Sequence, residues 1–215
     1  MRIYRMIRLL IADDHAIVRR GLKQIISETS DMFVVAEASS GLEALDKLAD
    51  NNFDVVLLDI SMPGKSGMDV LRQLKRKKPK MPVLMLSVHP EEQYAIRALR
   101  AGASGYLTKE SAPDELIAAI RKISRGGKFV SSSLAEKLIY EIEGYSEKPA
   151  HEVLSDREYQ IMCMFAKGKL IKDIAYELSL SIQTVSTYKN RILVKLKMGS
   201  LAEMVRYALT EGLVE

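Results

Sequence analysis

Asp54-Val55-Val56-Leu57-Leu58-Asp59 sets four aliphatic residues in a row between two acids, and Ile60-Ser61-Met62-Pro63-Gly64 then breaks the run. A strand with one wet face alternates apolar and polar residues. An unbroken run suits a strand covered on both sides, as in a parallel sheet. Working outward, Ile7–Ala12, Phe33–Glu37, Pro82–Leu86 and Gly105–Leu107 read as further strands of the same kind. Between them the apolar spacing becomes helical. Ile17, Val18, Leu22, Ile25 and Ile26 form one stripe in 16–26, and Leu42, Leu45, Leu48 and Ala49 another in 41–49. Met68, Leu71 and Leu74 follow, then Ala95, Ile96, Leu99 and Ala103, then Leu116, Ile117, Ile120 and Ile123. Strand–helix units with short connections predict an α/β domain over 1–123, a five-stranded parallel sheet doubly wound by helices.

Beyond Ser124 the pattern loosens. Gly126-Gly127 ends the last of these helices, Ser131-Ser132-Ser133 can cap a short helix with Leu134, Leu138 and Ile139, and Gly144 to Pro149 reads as linker. The linker expectation covers 124–151. From 152 to 215 there is no strand signal. Ser155 followed by Glu158 is a capping box opening a helix with Tyr159, Ile161, Met162 and Phe165 that stops at Gly168. Segments 170–178 and 182–196 are joined by Ser179-Leu180-Ser181, the spacing of a helix-turn-helix, with Ser181 as cap of the second. A last helix is expected at about 201–209. The whole is a small all-α domain of four helices.

Composition narrows the function classes. At 47% hydrophobic and 28% charged the chain is ordinary for a globular protein, and no apolar run nears the roughly 18 residues of a membrane span. Arg2, Arg5 and Arg8 precede only Leu9-Leu10-Ile11-Ala12, too short for a signal peptide core. One cysteine, Cys163, excludes an intrachain disulfide and a multi-cysteine zinc site. A cytoplasmic protein is expected. The net charge of +4 says little, but 180–199 carries Lys189, Arg191, Lys195 and Lys197 without an acid, an electrostatic footprint for nucleic acid.

The carboxyl ends of parallel strands meet at one rim, where ligands bind. Asp13 and Asp14 follow the first strand, Asp59 ends the third, Ser87 follows the fourth and Lys109 the fifth. Acids at strand ends are common simply because those ends are solvated. Four strand ends supplying Asp, Asp, Ser and Lys together are harder to obtain as decoration. Carboxylates that close repel, and a hard divalent cation, Mg²⁺ above all, would hold them ionised. One carboxylate can then attack phosphorus while Lys109 absorbs charge on the phosphoryl oxygens and Ser87 offers them a hydroxyl.

Asp13-Asp14-His15, Leu57 to Gly64, Leu86-Ser87, and Gly102 to Lys109 resemble the receiver domain of response regulators in order and spacing. The resemblance implies that Asp59 is phosphorylated, that Asp13, Asp14, Asp59 and the backbone carbonyl of Ser61 hold Mg²⁺, and that Ser87 and Tyr106 form a switch pair. It implies a sensor histidine kinase or phosphotransfer domain as donor. Glu110 stands where many receivers have proline after the lysine, which leaves the geometry of the Lys109–Glu110 bond open.

Leu154 to Glu158, Gly168, Lys172 to Ala175, Leu180-Ser181, Thr184-Val185 and Lys195-Leu196 resemble the helix-turn-helix of the LuxR/NarL family, and Val185 to Lys189 its branch of virulence and global regulators. Helical geometry gives its own assignment. Val185, Tyr188, Ile192 and Leu196 should pack inward, so Gln183, Ser186, Thr187 and Asn190 project toward base edges. Thr184, Tyr188, Lys189, Arg191 and Lys195 flank them and suit phosphates. The family implies binding of double-stranded promoter DNA as a homodimer paired through the last helix, with Met204, Val205 and Ala208 as candidates. RNA polymerase is an open further partner.

Two rivals remain at this point. The helical domain would dock protein rather than DNA, making the chain a phosphorylation-controlled interaction switch, or the acidic pocket would belong to a phosphatase with His15 or His89 as acid. No general acid stands beside Asp59, so no enzyme is expected beyond slow self-phosphorylation and self-dephosphorylation.

Overall fold

A computed structural model describes residues 6–50, 52–88, 91–111, 113–132, 134–136 and 149–214. The chain divides into two compact units, Met1–Leu138 and Ile139–Glu215. Among the described residues no helix is long and apolar enough to cross a membrane.

In the first unit the strands are β1 (Ile7–Ala12), β2 (Met32–Ala38), β3 (Val55–Asp59), β4 (Val83–Ser87) and β5 (Gly105–Thr108). They alternate with α1 (Ala16–Ser27), α2 (Gly41–Asp50), α3 (Gly67–Lys77), α4 (Glu91–Arg100) and α5 (Pro113–Ser124). All neighbours pair in parallel, in the order β2-β1-β3-β4-β5. After β2 the chain crosses back over β1 to reach β3, so that α1 and α5 cover one face and the remaining helices the other. Leu9, Ile11, Val55, Leu57, Leu84, Leu86 and Leu107 form one core with Ile26, Leu116, Ala119, Ile120 and Ile123. The alternate strand positions Leu10, Val56, Leu58, Met85 and Tyr106 are equally buried. Burial on both faces is why the strands read as continuous apolar runs.

The first unit runs on past Ser124, which corrects the expected boundary. The Phe129 amide donates to the Ser104 carbonyl, Phe129 bridges to Gly105 on β5, and Leu134 is 2% exposed. A Cβ on Gly105 would come within 2.8 Å of the Phe129 carbonyl oxygen, so glycine permits this approach. Sequence periodicity misses it because a single bridge has no period. Leu138, Ile139 and the Gly144–Ser146 stretch lie outside the described residues.

The first described element of the second unit is a 3-10 turn, Ala150–Val153, not anticipated from sequence, whose His151 amide donates to the Tyr207 hydroxyl at 3.2 Å. Then come α6 (Asp156–Ala166), α7 (Ile171–Glu177), α8 (Ile182–Leu196) and α9 (Leu201–Thr210). The capping box is formed as expected, Ser155 accepting from the Glu158 amide while the Glu158 carboxylate accepts from the Ser155 amide. Residues Tyr159 and Ile161–Phe165 are buried, so α6 is the spine on which the others pack. Ser179, in the left-handed region at φ 52°, makes the tight turn from α7, and Ser181 caps α8.

Candidate functional sites: an acidic pocket and an open helix

The strand register brings the sequence-separated acids together. Ala12 is level with Leu58, Asp59 with Leu86, and Ser87 with Thr108, so the residues that leave the strands meet at one rim. Gly67 lets α3 start hard against that rim. A Cβ there would lie 1.9 Å from the Asp59 carbonyl oxygen, and the Gly67 amide donates to Ile60. Asp13 and Asp59 are 0% and 1% exposed. The Lys109 ammonium lies 2.6 Å from Asp13 Oδ2 and 3.0 Å from Asp59 Oδ2. Ligand atoms of Asp13, Asp14, His15 and Asp59 all lie within 4.8 Å of one another. The Ser61 backbone stands beside Asp59, while Ser87 is fully buried at the end of β4 and Tyr106 fully buried within β5, level with Met85.

Charge here is only partly balanced. Asp13, Asp14 and Asp59 against Lys109 leave an excess of carboxylate, and the one ammonium is shared between Asp13 Oδ2 and Asp59 Oδ2. Burial, reinforced by the charge of Asp13 and opposed by Lys109, pushes the Asp59 carboxyl up to about 6. Burial works to depress Lys109, but Asp59 and Asp13 outweigh it and raise the ammonium above its ordinary range. Buried anionic oxygens converging from two loops are a donor set for a hard divalent cation.

Arg19 was not singled out by sequence. Its guanidinium donates to the Asp13 backbone carbonyl at 2.7 Å and pairs with Glu37, holding the Asp13-Asp14 turn against α1. Nothing in local spacing marks it, since an arginine on an amphipathic helix usually meets water. His15 is exposed, its Nδ1 lying 2.8 Å from Asp14. His89 lies outside the described residues. Among those residues no peptide bond is cis, so Lys109–Glu110 is trans.

On α8, Val185, Ile192 and Leu196 are buried and Gln183, Thr187 and Asn190 are exposed. Ser186 is half-buried on the flank rather than at the centre of the open face, a correction that follows from its rotation away from Thr187. Thr184 is half-buried, its hydroxyl 2.8 Å from that of Ser181. The Arg191 guanidinium carbon sits 6.0 Å from the Tyr188 ring centroid, and Lys189 is half-buried. Lys195 is exposed and pairs with the capping-box Glu158 at 2.6 Å. Glu158 is held below the ordinary carboxylate range although its burial works the other way, because Lys195 and Ser155 donate to it.

The pairing candidates need a larger correction. Met204 and Ala208 are fully buried in the domain's own core, where α9 packs on α6. The apolar stripe of a short helix is claimed first by its own small core. The outward side of α9 carries Leu201, 39% exposed, and Leu209, 52% exposed, with Val205 half-buried between them.

Comparison with known proteins bears on both units. Residues 9–121 match the family model of the response regulator receiver domain, and 152–208 that of bacterial regulatory proteins of the luxR family. The chain is 37% identical over 209 residues to the response regulator UvrY of Escherichia coli K12, covering 97% of this chain and 96% of that protein. It is 38% identical over 216 residues to the oxygen regulatory protein NreC of Staphylococcus epidermidis, covering 97% and 99%. Among solved structures, RcsB of Salmonella enterica serovar Typhimurium, bound to promoter P1flhDC in the presence of a BeF3⁻ phosphomimetic, matches with TM-score 0.59 and 26% identity over 96% of this chain and 98% of that one.

Proposed function

The chain belongs to the LuxR-type response regulators, a receiver joined to a DNA-binding helix-turn-helix that regulates transcription, and from that premise we propose how its two sites work. A sensor histidine kinase or phosphotransfer domain delivers a phosphoryl group to Asp59. The chain then binds promoter DNA as a homodimer, in the cytoplasm, with RNA polymerase as the downstream contact. It is a switch rather than an enzyme.

The observation that carries this reading is the Lys109 ammonium lying between Asp13 and Asp59, with Asp14 alongside. Mg²⁺ held by Asp13, Asp14, Asp59 and the Ser61 carbonyl would neutralise charge on the transferring phosphoryl oxygens. An Asp59 carboxylate oxygen attacks phosphorus as the bond to the donor nitrogen breaks. Lys109 exchanges its contact with the free carboxylate for one with the phosphoryl oxygens. Ser87 donates its hydroxyl to them, and Tyr106 turns into the space vacated, giving the receiver two discrete packings. Arg19 keeps the Asp13-Asp14 turn in place throughout.

In the second unit Gln183, Thr187 and Asn190 face base edges, with Ser186 at their margin. Thr184, Tyr188, Lys189 and Arg191 supply phosphate contacts that set register. Leu201, Val205 and Leu209 pair two copies across half-sites.

Footprinting on genomic fragments with and without a small phosphodonor and Mg²⁺ tests both halves together. Protection of discrete duplex sites that strengthens with donor, and does not strengthen in Asp59→Asn, is expected. Donor-independent protection identical in wild type and variant would overturn the coupling.

A further inference from the structure

Resting on the reading that α8 enters the major groove, we propose that it selects A·T over G·C pairs: Asn190 pairs with an adenine, and the methyl groups of Thr187 and Val194 pack on thymine methyls. Gln183, Thr187, Asn190 and Val194 succeed one another at steps of four, three and four, which at 3.6 residues per turn is one face of a helix. All four are exposed, and they lie opposite the buried Val185, Ile192 and Leu196. The four residues of that stripe carry no cation; Arg191 and Lys195, both exposed, stand along its edge. Lys189 is half-buried, Arg191 leans toward the Tyr188 ring, and Lys195 is held by Glu158.

Guanine is read chiefly by a bidentate arginine or lysine on O6 and N7. The stripe offers neither, and the two cations at its edge are turned to Tyr188 and Glu158. Asparagine, by contrast, presents one donor and one acceptor in the arrangement that adenine N7 and N6 require.

The Thr187 hydroxyl donates to the Gln183 carbonyl at 2.9 Å. With its polar group spent on the helix, what Thr187 shows to a ligand is its γ-methyl. Val194 shows nothing but methyls and is 77% exposed, an apolar surface that water disfavours and a thymine 5-methyl would cover. Thr187, Asn190, Arg191, Val194 and Lys195 line one shallow hollow, so the amide and the methyls share a single concavity.

The test is selection from a randomised duplex pool with the full-length chain, treated with phosphodonor and Mg²⁺. Affinity is then measured on the selected duplex and on the same duplex with thymine replaced by deoxyuracil, which removes only the methyl. Selected half-sites rich in A·T are expected, with a several-fold loss on deoxyuracil substitution. That loss should shrink in the Thr187→Ser, Val194→Ala double variant, in which serine keeps the hydroxyl tie. Asn190→Ala should flatten discrimination at one adenine by on the order of tenfold. Half-sites dominated by G·C, or wild-type affinity indifferent to the thymine methyl, would overturn the proposal while leaving DNA binding intact. A pool with no enriched sequence would overturn sequence-specific binding, and this proposal with it.

Discussion

At the receiver rim Asp13 and Asp59 are sunk to 0% and 1% exposure and share one lysine, whereas on α8 the polar side chains stand in water and the cations ride at the flanks. In the pocket each charge sets the energy of the others, so a single change is large and effects do not add. On the helix each group acts nearly alone against a screened background, and its worth is small until DNA removes the water.

Substitutions in the two regions should therefore separate by size. Asp59→Asn is the extreme case. Incubation with a small phosphodonor and Mg²⁺ should label wild type and leave the variant blank by mass spectrometry, and label persisting in the variant would break the pocket assignment. Next comes pH. The Asp59 carboxyl is raised from 3.8 to about 6, so the folded state binds this proton more tightly than the unfolded one. Its contribution to stability is complete below pH 4 and is lost as pH rises through about 6. That loss is on the order of 3 kcal/mol from the size of the shift. Urea melts of metal-free protein should show the fall, Asp59→Asn should flatten it, and Mg²⁺ should recover stability above pH 6.

On the helical side the largest effect belongs to pairing. Leu209→Lys should weaken binding to a duplex with two half-sites by on the order of a hundredfold, through loss of linked binding, and barely touch a single half-site. Equal losses on both duplexes would count against α9 as the pairing surface. Glu158→Ala, which strips the capping box and leaves Lys195 unpaired, should cost the second unit about 1–2 kcal/mol in thermal unfolding. Lys195→Met should cost less than about 1 kcal/mol, because 42% of the lysine side chain is exposed. It should also leave the salt dependence of DNA binding unchanged, whereas Lys189→Ala should lower the salt slope by about 1. A slope change in Lys195→Met would return that lysine to the phosphates.

What was legible in the sequence follows the same division. Strands buried on both faces carry their own signature, and Asp13, Asp59 and Lys109 are displaced to one rim by topology alone, so the fold and the pocket could both be read. The surface of the second unit was harder. Met204 and Ala208 look like any outward apolar pair until α6 is known to be the spine they pack on. The Lys195 pairing with Glu158 spans segments far apart in the chain, and no local period announces it. An exposed valine such as Val194 has no polar group to mark it in a sequence.

The attachment of Phe129 to Gly105 bears on how such chains are recombined. A chimera spliced at Ser124, where the last receiver helix stops, would strip Phe129 from the edge of β5, leave the Ser104 carbonyl without its donor, and remove the buried Leu134. Exchanging output modules calls for a join beyond Glu136, so that the graft carries its own selvedge.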